Sequence, residues 1–268
     1  MNSQTAFRNE AAIRRKNLYK PSGREGSYLP IAAEIHHAPH LERPARYARF
    51  KRFIDVTVSA VLFVAAIPVM LLAGILIRLT SKGAAIYVQT RLGRGGRPFR
   101  IYKLRTMIDN CESLTGPRWA VPGDPRVTTV GALLRATHID ELPQLWNVIR
   151  GDMSLIGPRP ERPEIIEKLE KDLPDYADRH LVRPGITGLA QVQLPPDTDV
   201  ANVADKLALD KAYIHHLSPL LDLQIVFCTA FRAIGLRPKH VRPLVRRAIP
   251  TDFVPGCTID RYGRKKTA

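Results

Sequence analysis

The chain has 268 residues, room for one domain with a sizeable core plus appendages, and its 41 Lys+Arg against 25 Asp+Glu give a net charge of +16. That excess favours an anionic partner, whether a phospholipid surface, a nucleic acid or a phosphorylated metabolite, and an aromatic content of 7% weakens the case for a single-strand platform of stacked bases. Cys111, Cys228 and Cys257 are scattered and never at metal-ligand spacing, which excludes a disulfide framework and fits cytosolic thiols.

Residues 1–48 show no sustained periodicity and read as a basic, unstructured arm. His36, His37 and His40 lie within it, but no carboxylate or thiol is spaced to complete a metal site, so they read as a solvated cluster. An uncharged apolar run follows from Val56 to Ile77, about 33 Å if helical and so long enough to cross a hydrocarbon core of about 30 Å. Two features oppose a simple span. Pro68 sits near its middle, where it removes a backbone donor and is expected to kink the helix. The flanks are also equally basic, with Arg43, Arg46, Arg49, Lys51 and Arg52 before the run and Arg78, Lys82, Arg91, Arg94 and Arg97 after it. A spanning helix has unequal basic flanks. The expectation is therefore a re-entrant membrane helix over 49–80 that enters and leaves one leaflet.

Residues 81–236 read as the main folded unit, and 237–268 as a basic tail. Ala85–Gln89 and Pro98–Tyr102 predict a β-hairpin around the Gly93–Gly96 turn. That turn is no phosphate-binding loop, because no Gly-Lys-Ser/Thr follows it. Helices are expected over Gly131–Ala136 and Asp140–Ile149, with Thr137 and Asp140 as a capping box and Pro143 inside the first turn. A last helical stretch, Leu207–Ala233, should break near Ser218-Pro219, with an apolar second half that packs on the core or lies at a bilayer interface. The fold class is thus α+β: a mainly helical small domain with a short hairpin, built on a Pro-kinked re-entrant helix.

The most informative stretch is Thr137–Pro160. It sets the adjacent acids Asp140 and Glu141 among Arg135, Arg150 and Arg159, with Arg162 just beyond. Guanidinium groups neutralise and orient phosphoryl oxygens, while a carboxylate can act as nucleophile or hold a divalent metal. Phosphate could also dock on free N–H groups at a helix start beside the acids. Rigid Pro/Gly loops at Pro158-Arg-Pro160 and Arg183-Pro-Gly-Ile-Thr-Gly188 would let backbone approach a ligand. Taken alone, an Asp-Glu pair more often marks an exposed helix start.

Seven motifs in fixed order go further: Lys103-Leu-Arg-Thr-Met107, Asp124-Pro-Arg-Val127, Leu134-Arg135, Asp140-Glu-Leu-Pro-Gln144, Gly151-Asp-Met-Ser154, Gly157-Pro-Arg-Pro160 and Arg183-Pro-Gly-Ile-Thr-Gly188. The series, with Lys51-Arg-Phe-Ile-Asp55 ahead of it, closely resembles the bacterial sugar transferases called monotopic phosphoglycosyl transferases, or polyprenyl-phosphate sugar phosphotransferases. The resemblance covers about Arg49 to Leu236. It implies transfer of a sugar-1-phosphate from a UDP-sugar to polyprenyl (undecaprenyl) phosphate, with release of UMP, at the start of exopolysaccharide or glycoconjugate synthesis. By the same resemblance Asp140 is the nucleophile that carries the phosphosugar, and Glu141 helps it hold Mg²⁺. Lys103, Arg135 and Arg159 match active-site positions, and with Arg105 and Arg183 they are expected to bind substrate phosphates.

Several expectations follow. The Asp140 carboxyl, beside arginines or Mg²⁺, should keep a low pKa and be ionised at neutral pH. The enzyme should sit at the cytoplasmic face of the bacterial inner membrane, with no nucleic acid among its partners and a homodimer left open. His138 is assigned a structural role, and Trp146 is placed in the core rather than at the headgroups, where Trp119 could lie. Relatives often continue Asn-Gly-Arg after Gly-Leu-Ala-Gln191-Val, whereas this chain reads Gln193-Leu-Pro-Pro196, a difference that bears on donor preference. The rival reading is a non-catalytic, membrane-attached basic protein that binds lipid or nucleic acid through charge.

Overall fold

A computed structural model describes residues 42–113, 116, 123–173, 175–194 and 200–233. The arm before Glu42, the tail after Ala233, Trp119, Cys257 and the Pro195-Pro196 segment lie outside the described residues.

Helix α1 runs from Glu42 to Thr80, earlier than the expected start at 49, and continues through Pro68 without a break in its assignment. Over Tyr47–Thr80 it is long and apolar enough to cross a membrane. Its buried residues Asp55, Ser59, Ala66, Ala73 and Ile77 recur at helical spacing and form one stripe against the rest of the protein. Around the remaining circumference Val61, Leu62, Val64, Leu71, Leu72 and Ile75 are exposed. An apolar surface of that extent marks a membrane or partner contact.

The expected hairpin is present and longer than its sequence signal. Strands β1 (Ile86–Leu92) and β2 (Pro98–Leu104) pair antiparallel from Ile86 opposite Leu104 to Leu92 opposite Pro98. A 3₁₀ turn, Arg94–Gly96, closes it, and Gly95 there takes a left-handed φ of 68° that favours glycine. Helix α2 (Thr129–Ala136) follows, capped by the Thr128 side chain, which accepts from Gly131 N at 2.9 Å. Gly131 has no room for a side chain, since a Cβ would lie 2.0 Å from Thr106 O. That contact presses α2 onto the end of β2.

The predicted capping box does not form. Thr137 is instead the C-cap of α2, its hydroxyl donating to Leu133 O at 2.9 Å. His138 then turns the chain through a left-handed conformation (φ 56°), consistent with a structural role. Asp140 and Glu141 lie in the 3₁₀ turn Ile139–Glu141, and helix α3 (Gln144–Arg150) begins only after Pro143. The acids thus precede a helix rather than open one.

The glycine-bearing loops form an unanticipated parallel pair, β3 (Ser154–Ile156) with β4 (Gly185–Thr187). Their glycines admit backbone rather than ligand: a Cβ on Gly157 would meet Arg183 O at 2.4 Å, and one on Gly188 would meet Gly157 O at 2.1 Å. Helices α4 (Pro163–Asp172), α5 (Leu189–Gln193), α6 (Val200–His215) and α7 (Pro219–Ala233) complete the architecture. The expected break at Ser218-Pro219 separates α6 from α7, although α6 begins before Leu207.

The core gathers Ile156, Leu189, Ala212, Tyr213, Leu221 and Ile225 from β3, α5, α6 and α7. A second cluster of Ala73, Ile77, Leu104 and Leu134 joins α1, β2 and α2, with Ile139 packed against it. Helix α7 has a double character. Leu221, Ile225 and Cys228 are buried, while Leu220, Leu223, Val226 and Phe227 face outward. Trp146 also departs from expectation: it is 44% exposed, its ring 5.9 Å from that of Phe63 on α1.

Candidate active site

The site is assembled from three segments: the end of β2, the 3₁₀ turn with α3, and the Pro-Arg-Pro loop after β3. Asn147 joins the first two. Its side chain donates to Arg100 O (2.7 Å) and accepts from Tyr102 N (3.1 Å), standing in for a neighbouring strand. Wholly buried, it fixes α3 against β2, so that Lys103 on the strand meets Glu141 ahead of the helix. Sequence reasoning did not single out Asn147. Its signal was a second amide, after Gln144, in a short and largely apolar helix.

Glu141 Oε1 accepts from Lys103 Nζ at 2.9 Å and from Arg159 Nη2 at 2.7 Å. Burial alone would push the Glu141 carboxyl up, but the Arg159 and Lys103 charges overcome it and hold the group well below the usual carboxylate range. Lys103 is itself pushed below its ordinary value, chiefly by burial. Asp140 is in the opposite state. It is 8% exposed, and its carboxylate takes no hydrogen bond from any described residue. Burial and then the neighbouring Glu141 charge raise its pKa, against the lowering influence of Lys103, Arg135 and Arg159. The expectation of a depressed pKa at Asp140 is therefore corrected: the cations serve Glu141 first, and Asp140 remains a desolvated, unpaired acid.

Arg135 lies on the same side of the site. Its Nε donates to Thr106 Oγ1 at 2.8 Å, and no described residue takes a hydrogen bond from its terminal nitrogens. Arg159 is braced from behind, where Arg179 donates to its carbonyl (2.9 Å) and to Asp210 Oδ2 (2.7 Å). The structure thus brings together Lys103, Arg135, Asp140, Glu141 and Arg159. Of the two other expected phosphate ligands, Arg105 is committed to structure, whereas Arg183, like Arg135, gives up only its Nε. Arg105 is buried, and its guanidinium donates to Ser81 O (3.1 Å), Ser81 Oγ (2.9 Å) and the Lys82 carbonyl, closing the exit of α1. Arg183 donates to Gly151 O at 3.0 Å, beyond the C-terminus of α3. Pro68 lies on α1, away from this group in sequence.

Among the described residues no three His, Cys, Asp or Glu side chains cluster as a metal cage. Two adjacent carboxylates, one without a protein partner, nevertheless suit Mg²⁺, which binds through one or two carboxylates and substrate phosphates. Such a donor set would be completed by a diphosphate rather than by the protein.

Comparison with known proteins agrees with this chemistry. Residues 46–235 match the family described as bacterial sugar transferase. A UDP-N-acetylgalactosamine-undecaprenyl-phosphate N-acetylgalactosaminephosphotransferase of Aeromonas hydrophila is 44% identical over 183 residues, which are 68% of this chain and 43% of that protein. A UDP-glucose:undecaprenyl-phosphate glucose-1-phosphate transferase of Caulobacter vibrioides is 48% identical over 183 residues, 67% of either chain. A protein of the same name from Klebsiella pneumoniae is 39% identical over 187 residues, 68% of this chain and 40% of its own. This chain therefore spans less than half the length of two of these three relatives. The match extends over most of its own residues, including nearly all of α1 and every segment of the site: the chain belongs to the bacterial sugar transferase family.

Proposed function

We propose that the protein transfers a sugar-1-phosphate from a UDP-sugar to polyprenyl (undecaprenyl) phosphate in two steps on Asp140. The observation that carries this reading is the division between the two acids. A buried carboxylate without a hydrogen-bond partner is a better nucleophile than a solvated one, and it is held beside a carboxylate already neutralised by Lys103 and Arg159. In the first step an Asp140 oxygen attacks the sugar-bearing phosphorus. The phosphoanhydride bond to UMP breaks, and UMP leaves with the bridging oxygen. In the second step an oxygen of polyprenyl phosphate attacks the same phosphorus. The bond to Asp140 breaks, which restores the carboxylate and leaves a polyprenyl diphosphate sugar.

The chain's own residues supply orientation and charge. The free guanidinium end of Arg135 is suited to a bidentate grip on phosphoryl oxygens. Lys103 and Arg159 fix Glu141 and add positive field at the reacting phosphorus. Mg²⁺, held by Asp140 and Glu141 with the donor's diphosphate, would neutralise charge on the phosphoryl groups and the leaving UMP. The acceptor's phosphate lies at headgroup level, and the exposed apolar faces of α1 and α7 are suited to holding the site there, at the cytoplasmic face of the inner membrane. The re-entrant course of α1 belongs to the same proposal. Reporters fused to the two ends of the chain should then respond on the same, cytoplasmic side.

The relatives' names carry N-acetylgalactosamine in one case and glucose in the others, so the donor sugar is open. A screen of UDP-sugars with undecaprenyl phosphate, scored by UMP release, identifies it. Incubation with the active donor alone, followed by rapid quench and intact-mass measurement, should reveal an adduct of one sugar-phosphate that is absent in Asp140→Asn. Undiminished turnover by that variant rejects Asp140 as nucleophile. UDP in place of UMP would indicate direct glycosyl transfer, and salt-sensitive lipid binding without turnover of any donor would favour the charge-driven binding protein.

A further inference from the structure

Asp55 and Asp222 are carboxylates on the two helices with long exposed apolar faces, α1 and α7, yet they are only 4% and 6% exposed. Burying such groups is costly unless charge and hydrogen bonds offset it, and here both do. Lys51 Nζ lies 2.8 Å from Asp222 Oδ2 and 3.8 Å from Asp55 Oδ1. Tyr47 and Tyr213 donate their hydroxyls to the two oxygens of Asp222, at 2.6 and 2.8 Å. Ser154 Oγ donates to Asp55 Oδ2 at 2.7 Å, and Leu155 N to Asp55 Oδ1 at 3.2 Å. The Lys51–Asp55 turn of α1, with Tyr47 one turn before it, thereby holds both α7 and β3.

The direction of these bonds matters for the site. Strand β3 runs from Ser154 to Ile156 and leads through Gly157-Pro158 straight into Arg159, the guanidinium that grips Glu141. On the same turn Arg52 donates to Val148 O (2.6 Å) and Ile149 O (3.0 Å), the carbonyl end of the helix that follows the acids. Both segments flanking the acid pair are therefore fastened to residues 47–55 of the membrane helix. A slip of α1 by one residue would turn Asp55 off the buried stripe and break both Ser154 and Leu155 contacts.

We infer that Asp55 is a positioning residue: through Ser154 and Leu155 it transmits the depth and register of the membrane helix to Arg159. Lys51 and Asp222 complete the clamp by tying α7, the second apolar element, to the same turn. The site is thus set at a fixed height above the apolar surfaces, as a reaction between a water-borne donor and a membrane-bound acceptor requires. Only the kinetic part of this inference rests on the transfer reading.

The test compares Asp55→Ala and the near-isosteric Asp55→Asn in full-length, detergent-solubilised protein, first by hydrogen exchange. The alanine variant should exchange faster in peptides covering 153–161, on the order of tenfold or more, with α6 unchanged and the asparagine variant intermediate. Unchanged exchange in 153–161, or an equal rise throughout the domain, overturns the inference whether or not a donor substrate is known. With an active donor, Asp55→Ala should lower kcat on the order of 100-fold, as displacement of a catalytic group by about 1 Å does, with little change in donor KM. Asp55→Asn should recover part of that loss. In an Arg159→Ala background the Asp55→Ala effect should largely vanish. Full multiplication of the two effects would show that Asp55 does not act through Arg159.

Discussion

Replacing Lys103 by methionine tests how the two acids divide the positive charge around them. The substitution keeps the length and apolar stem of the side chain and removes an ammonium 2.9 Å from Glu141 Oε1, in a pair with side chains 19% and 14% exposed. Unit charges at that distance attract by about 6 kcal/mol at an effective dielectric near 20. Desolvation offsets most of this, and charge-assisted hydrogen bonds contribute a net ~1.5–3 kcal/mol. Arg159 still holds Glu141, so the lower part of that range applies, ~1.5–2 kcal/mol, or roughly 3–8 °C in the melting temperature of a domain of this size. The kinetic effect is larger, because loss of one preorganised charge at a phosphoryl centre costs on the order of 10²–10³ in rate. The pH dependence carries the sign. Lys103 lowers the Asp140 pKa, so its removal raises that pKa further, and the rate requires the ionised form. The acid limb of adduct formation should move to higher pH, making the defect greater in mild acid than at neutrality. Rapid-quench adduct formation across pH, with melting curves in the same detergent, measures both effects. An acid limb that stays in place or moves to lower pH refutes the charge assignment.

Asp140→Asn should abolish adduct formation and yet stabilise the fold. A carboxyl whose folded pKa is raised costs stability above that pKa, and the cost disappears as pH falls toward the unfolded value. The variant should therefore melt higher at neutral pH, with the gap closing in acid. Gly157→Ala places a Cβ 2.4 Å from Arg183 O, so the β3–β4 pair must part. A loss of about 1–3 kcal/mol in chemical denaturation is expected, with a fall in kcat as Arg159 shifts. In the double variant Leu223→Asp/Phe227→Asp, the outward face of α7 loses its apolar character. Donor-only adduct formation in detergent should persist, while transfer to undecaprenyl phosphate in vesicles should fall at least tenfold. An equal effect in the two assays would mean that α7 acts within the fold rather than at the lipid.

The periodic elements were readable in the sequence because one strong local signal fixed each. The hairpin had β-branched runs around glycines, α1 had an uninterrupted apolar run, and Ser218-Pro219 marked the start of α7. Residues whose environment is made by distant segments were not readable. Trp146 has the neighbours of a core residue in sequence, but α3 is only two turns long and faces α1, which leaves the indole half outside against Phe63. Thr137 and Asp140 have capping-box spacing, yet the left-handed turn at His138 ends α2 there and sends the acids into a 3₁₀ turn. Arg105 lies in a motif full of phosphate-like signals, but the Ser81 and Lys82 carbonyls at the exit of α1 take its donors, while Arg183 gives its Nε to Gly151 O. Guanidinium groups serve structure and substrate equally well, and sequence spacing does not separate the two uses. Lys103, Arg135 and Arg159 were identified because their motif positions resembled those of known transferases, whereas Asn147 carried no such mark and Asp55 stood in a matching motif that gave it no role.

Two adjacent carboxylates near several cations could have shared the charge equally, leaving both ionised and both weak nucleophiles. The fold prevents this by direction. Lys103 comes from a strand and Arg159 from a loop, and both reach the same Oε1 of Glu141, so one acid becomes the fixed counter-charge and the other is left desolvated. Opposite pKa directions on neighbouring side chains fit the separate roles proposed for the two groups. Arg159 can act this way only while its loop holds position, and that position is set by Arg179 behind it and by the Asp55 clamp on the membrane helix. The reactivity proposed for Asp140 would in this sense depend on how α1 is seated. Where the apolar helix and the acid pair are seated independently, as in a soluble fragment lacking α1, both adduct formation and the exchange protection of 153–161 should be lost together.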